Sequence, residues 1–199
     1  MSDTTITKAK ELAEKLKAQF GDLLSEIKEF RGEYTLVVLD KARIADVCAY
    51  AKETLGFDGL TDLSSVDHYG DEPRFSVVYE LYGHTHNAYL RLKLQVCEED
   101  CEVPTVTNVW RTADWHEREV YDMMGIRFKD HPDLRRIIMW EGYPYFPLRK
   151  DFPLEGKETD MPDVAFSRKA PMEGGPFVTS PGMTTTSERE PRSRTVETD

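Results

Sequence analysis

Polar and hydrophobic positions alternate most cleanly over two neighbouring stretches. From Arg74 to Tyr82, the residues Phe75, Val77, Tyr79 and Leu81 alternate with Ser76, Glu80 and Tyr82. From Asn87 to Val96, the residues Ala88, Leu90, Leu92, Leu94 and Val96 alternate with Tyr89, Arg91, Lys93 and Gln95. Successive side chains of a strand point to opposite faces, so this period of two predicts two strands, each with one buried face. The intervening Gly83-His84-Thr85-His86 makes them an antiparallel hairpin. Upstream the period lengthens. Ile6, Ala9, Leu12, Ala13, Leu16 and Phe20 lie on one helical stripe that stops at Gly21. Ile44, Val47, Cys48, Ala51 and Leu55 predict a second helix over about 41–55, capped by Asp40 and ended by Gly56 and Gly59. Leu23 to Phe30 and Glu33 to Leu39 flank Arg31-Gly32 as a further hairpin, and Leu60 to Asp67 reads as a short strand. Together these elements predict an α+β fold, a mostly antiparallel sheet with helices packed on one face.

A third helix follows, with denser charge. Asp114 is suited to its N-cap and Glu117 to the return arm of a capping box, and Gly125 supplies a left-handed stop. Val120, Met123 and Met124 share one side, while Glu117, Arg118, Glu119 and Asp122 crowd the remainder. Arg118 and Asp122 stand one turn apart and can pair. Such exposed pairs contribute only about 0.3–0.5 kcal/mol, and this order is the less favourable one. Helix stability alone is therefore a poor reason for the pattern. Downstream, basic and aromatic residues interleave through Arg127, Phe128, His131, Arg135, Arg136, Trp140, Tyr143, Tyr145, Phe146, Arg149, Lys150 and Phe152, and prolines at 132, 144, 147 and 153 limit regular structure. Aromatic and Arg side chains dominate interface energetics, which assigns Trp140 to Phe152 to a contact surface rather than a core. The expected organisation is one α+β domain over 1–153, including this helix and loop at 114–153, then a Pro-rich tail over 154–199. That tail has too few apolar residues to offset the entropy of ordering itself.

Composition narrows the classes. Charged residues make up 32% and hydrophobic ones 39%, and no apolar run approaches the roughly 20 residues of a membrane span. Neither a secretory signal nor an Arg-rich transit peptide is evident at the start. The net charge is −11, with the acidic excess concentrated before residue 114, which argues against nucleic acid as a partner. Cys48, Cys97 and Cys101 form no paired framework and cannot supply the four thiolates of an iron–sulfur cluster.

The run Glu117-Arg118-Glu119, then Asp122, Met123 and Met124, then His131, Arg135, Ile137 and Ile138 at this spacing resembles the signature of the thirty-kilodalton or C-type subunit of respiratory complex I. Pro147 to Pro153, PLRKDFP, resembles that family's closing motif. The likeness extends over roughly Leu23 to Pro153. It implies a cofactor-free, non-catalytic subunit of the peripheral arm of a proton-pumping NADH:quinone oxidoreductase, with FMN, iron–sulfur clusters, NADH and quinone bound on other subunits. It implies a hetero-oligomer, with the D-type and the cluster-bearing B-type subunits as partners, on the cytoplasmic face of a bacterial inner membrane and without a span of its own. Glu117, Arg118, Glu119, Asp122, His131, Arg135, Arg136, Arg149, Lys150 and Asp151 would then be partner-interface residues, and the tail would lie across neighbouring subunits. The same signature also suits the equivalent subunit of a membrane-bound hydrogenase or of a quinone oxidoreductase fed by ferredoxin or coenzyme F420.

Another class of reading is a free-standing metal-dependent enzyme. Glu117, Glu119 and Asp122 could serve as acid and base with His116 or His131. Carboxylates at i, i+2 and i+5 do not share one helical face, which weighs against it. His84 and His86, with Asp67 and His68, offer a metal set lacking a guaranteed third ligand. There is no GxGxxG, P-loop or CxxC motif.

Overall fold

The computed structural model describes residues 3–158. The first stripe forms helix α1 (Asp3–Phe20), burying Ala9, Leu12, Ala13 and Leu16, and Gly21 turns the chain at a φ of 52°. The first hairpin is shorter than its sequence suggests. A short 3-10 turn occupies Gly21–Leu23, Leu24 makes only an isolated bridge to Val38, and strand β1 is confined to Lys28–Phe30 against β2 (Glu33–Val38). The β1 side chains are exposed, so no burial extends the strand further.

Asp40 does cap the next segment, accepting a hydrogen bond from the Ala42 N–H, but its first turn is 3-10 and helix α2 proper spans Ile44–Glu53. The predicted stripe Ile44, Val47, Cys48 and Ala51 is buried. Strand β3 (Gly59–Asp67) then pairs antiparallel with β4 (Phe75–Gly83), and β4 with β5 (Ala88–Val96). The sheet order is β1-β2-β5-β4-β3. The β2–β5 pair is parallel, because α2 carries the chain from β2 to the far edge and the β3–β4–β5 meander returns to it. Every other pairing in this sheet is antiparallel. One sheet face, carrying Leu36, Val38, Leu63, Phe75, Val77, Tyr79, Leu81, Leu90, Leu92 and Leu94, joins α1, α2 and α3 in a single apolar core.

A parallel pair, β6 (Glu102–Pro104) with β7 (Arg127–Lys129), brackets helix α3 (Ala113–Met124), which lies against β3. Residues through Asp151 form one compact unit. Phe152 to Glu158 belong to a second unit, in which Lys157 stands over the Phe152 ring. The Pro-rich tail expected from 154 lies outside the described residues from 159 on.

Candidate functional site

Helix α3 starts one residue before its expected cap. Its N-cap is Thr112, without a side-chain cap bond, so Asp114 lies inside the first turn and no capping box forms. Glu117 points into the core instead, with no exposed surface. Its carboxylate accepts from the Thr105 hydroxyl and, at 2.7 Å, from the Val106 N–H. Burial pushes this carboxyl up to about 7, against the pull of those two donors, and the nearby Asp114 charge pushes the same way as burial. His131 closes the cluster. Its Nδ1 accepts from the Asp133 N–H at 3.0 Å, which leaves Nε2 as the donor facing the Asp114 carbonyl at 3.3 Å and the Glu117 carboxylate at 3.9 Å.

One and a half turns on, Asp122 is also fully buried but fully engaged. One oxygen accepts from the consecutive backbone N–H groups of Ile137, Ile138 and Met139 at 2.7–3.0 Å, and the other from Arg136 Nη1 at 2.6 Å. Burial would raise this carboxyl, but the Met139 N–H, Arg136 and the other two amides hold it below the usual range. Arg136 also donates to the carbonyls of Asp122 and Tyr145 and lies over the rings of Tyr143 and Phe146. The end of α3 is closed similarly. Gly125 has a φ of 79°, and a Cβ there would come within 2.7 Å of Phe146, so both the left-handed stop and the close return of the loop require glycine. Arg149 donates to the Met124 carbonyl at 2.7 Å and stacks on Phe146, placing a cation at the negative end of the helix.

A third cluster fixes the closing motif. Arg74 forks onto Asp67 through two 2.9 Å bonds and reaches Glu98 at 2.8 Å and Asp151 at 2.6 Å. The Lys150 N–H donates to Asp67 at 2.8 Å. Arg74 lowers the pKa of both Asp67 and Asp151. Arg74 and Asp67 were not among the sequence-predicted interface residues. The legible signal is parity: Asp67 continues the core-facing positions of β3, where an ionised group needs a partner.

The ten predicted residues thus divide. Glu117 with His131, Asp122 with Arg136, and Arg149, Lys150 and Asp151 with the strand ends join within the chain. Arg118 is mostly buried, donates to the Arg135 carbonyl and lies over Trp115, and it does not pair with Asp122. Glu119 and Arg135 remain at the surface, Arg135 beside Asp133. Tyr143 is buried and packs on Trp140 and Tyr145, so part of the aromatic stretch is core. Trp115, Ile138 and Leu148 are more than half exposed.

Asp67 belongs to Arg74, His68 meets Ser76, and His84 meets Asp58. Among the described residues no group of three His, Cys, Asp or Glu side chains could hold a metal ion, and no helix is long and apolar enough to cross a membrane.

Known proteins share this framework. The C-type subunit of NADH-quinone oxidoreductase from Geotalea uraniireducens is 48% identical over 146 residues, covering 73% of this chain and 88% of that protein. A second C-type subunit of the NADH-quinone oxidoreductase of Rhizobium meliloti is 50% identical, covering 69% and 75%. A trypsin-resistant fragment of Nqo5 superposes with a TM-score of 0.54 at 34% identity, covering 64% of this chain and 99% of the fragment. A polypeptide of an archaeal membrane-bound sulfane sulfur reductase has a TM-score of 0.64 at 22% identity, covering 74% and 86%, a likeness of fold alone. Residues 37–158 match the family model described as respiratory-chain NADH dehydrogenase, 30 Kd subunit, and the chain belongs to that family.

Proposed function

We propose that the chain is a structural subunit of the peripheral arm of a proton-translocating NADH:quinone oxidoreductase, needed for assembly and for holding the geometry along which electrons pass from NADH through FMN and iron–sulfur centres to quinone. In this reading it carries no cofactor, sits on the cytoplasmic face of the bacterial inner membrane, and packs against the D-type and cluster-bearing B-type subunits. One observation supports it above the rest. The signature carboxylates are engaged within the chain, Asp122 locking the 131–151 loop onto α3 and Glu117 holding the 105–106 segment to it, with every oxygen of the two taken by a donor of this chain. Such a lock presents Trp115, Glu119, Arg135, Ile138 and Leu148 outward on a rigid base, which suits a docking platform.

Purification of the tagged chain from its native membrane tests the proposal. The expected result is a flavin- and iron–sulfur-containing assembly with NADH:quinone activity. A stable monomer that turns over a substrate would overturn it. Arg118→Ala, which removes the cation over Trp115, is expected to lower the amount of assembled complex recovered while leaving turnover per complex unchanged.

A further inference from the structure

The second face of the five-stranded sheet has no helix on it among the described residues. Strand register places Val66, Ser64 and Asp62 of β3, Ser76, Val78, Glu80 and Tyr82 of β4, Tyr89, Arg91, Lys93 and Gln95 of β5, and Thr35 and Val37 of β2 on that side. Val78 is buried yet stands apart from the apolar core cluster, and Val66 and Tyr89 are 43% and 39% exposed. The polar groups on this face are arranged unevenly. Lys93 lies directly between Val37 and Val78 and makes no ion pair among the described residues. In the adjacent row Arg91 bridges Glu80 and Glu33, and Asp62 stands opposite Glu80. With Glu33 two residues before Thr35 on β2, and Thr35 opposite Arg91, this end of the face has one arginine for three carboxylates, although His116 approaches Asp62 at 3.5 Å. The face therefore offers a lone positive centre framed by valines and, two residues along the strand or about 7 Å away, a negative row.

We propose that this face docks an amphipathic helix of a neighbouring subunit, which sets a carboxylate over Lys93 and a basic residue one turn further on over Glu33 and Glu80. The proposal rests on the subunit reading above. Residues four apart on a helix are about 5–6 Å apart, close to the spacing of the two rows. Charge complementarity selects this occupant: a wholly apolar helix would bury the Lys93 ammonium unpaired, which is costly, and an acidic one would meet Glu33, Glu80 and Asp62.

Zero-length carbodiimide coupling on the purified whole complex, followed by peptide mass spectrometry, tests this. The expected product is an amide between Lys93 and an Asp or Glu of another subunit. A Lys93 that instead reacts freely with a soluble amine reagent in the complex would overturn the proposal, as would an amide to residues 159–199 of the same chain or to a second copy of it. Absence of the chain from any complex would fail the parent reading, and this one with it. Lys93→Glu is expected to lower retention of the chain in the complex at moderate salt by at least tenfold and Lys93→Gln by less. Unchanged retention of a Lys93→Glu chain with wild-type circular dichroism would also overturn it.

Discussion

Glu117 and Asp122 are two carboxylates on one short helix, both without exposed surface, and their environments push them in opposite directions. Asp122 has a cation and three backbone amides; Glu117 has a hydroxyl, one amide and an imidazole at 3.9 Å. Burial costs are common to both. The donors decide which charge persists: at the C-terminal end of α3 the loop brings enough to hold an anion, and at the N-terminal end it does not.

The difference can be broken most forcefully at Asp122. Asp122→Ala leaves Arg136 unpaired and the amides of 137–139 without an acceptor, and should cost about 3–5 kcal/mol in denaturant unfolding. The titration of Glu117 comes next. With an ordinary carboxyl near 4.5 and a folded one near 7, the folded state binds the extra proton between those values. Its contribution is fully present below pH 4.5 and is lost as pH rises through 7, a decline on the order of 3 kcal/mol. The groups facing it are Asp114, His131, Cys48 and Tyr79. Glu117→Gln should flatten that decline, since the Thr105 hydroxyl can turn to accept from the new amide. Asp122, being depressed, has the opposite sign: its contribution is present above the ordinary 3.8 and lost as pH falls through the folded value.

Arg136→Lys keeps the charge but removes the fork that reaches both Asp122 and the Tyr145 carbonyl, with an expected loss of about 1.5–3 kcal/mol. The smallest effect is expected at Asp114. A true N-cap would cost about 1 kcal/mol on removal. Asp114 is not the cap, and one of its carboxylate oxygens is buried without a hydrogen-bond partner. Asp114→Ala should therefore change stability by less than about 0.5 kcal/mol while moving the Glu117 midpoint downward.

The β4–β5 hairpin and the stripes of α1 and α2 were readable because each depends on a local period meeting one apolar core. That same locality misled at α3. Asp114 and Glu117 have capping-box spacing, but the core-facing side of the helix includes Glu117, so the side chain turns inward to donors on the 105–106 segment instead of back to its own first turn. The 131–151 loop carried no period at all. Its place is set by Asp122, Arg74 and Asp67, residues far from it in the chain.

By itself, then, the sequence determined α1, α2 and the β3–β4–β5 meander with their buried faces, the glycine stop at 125 and the family, because periodicity, turn chemistry and motif spacing are properties of neighbouring residues. Only the tertiary structure decided which charges pair and which proton affinities result. Those depend on donors delivered by distant segments and on exclusion of water, neither of which is written in any local stretch.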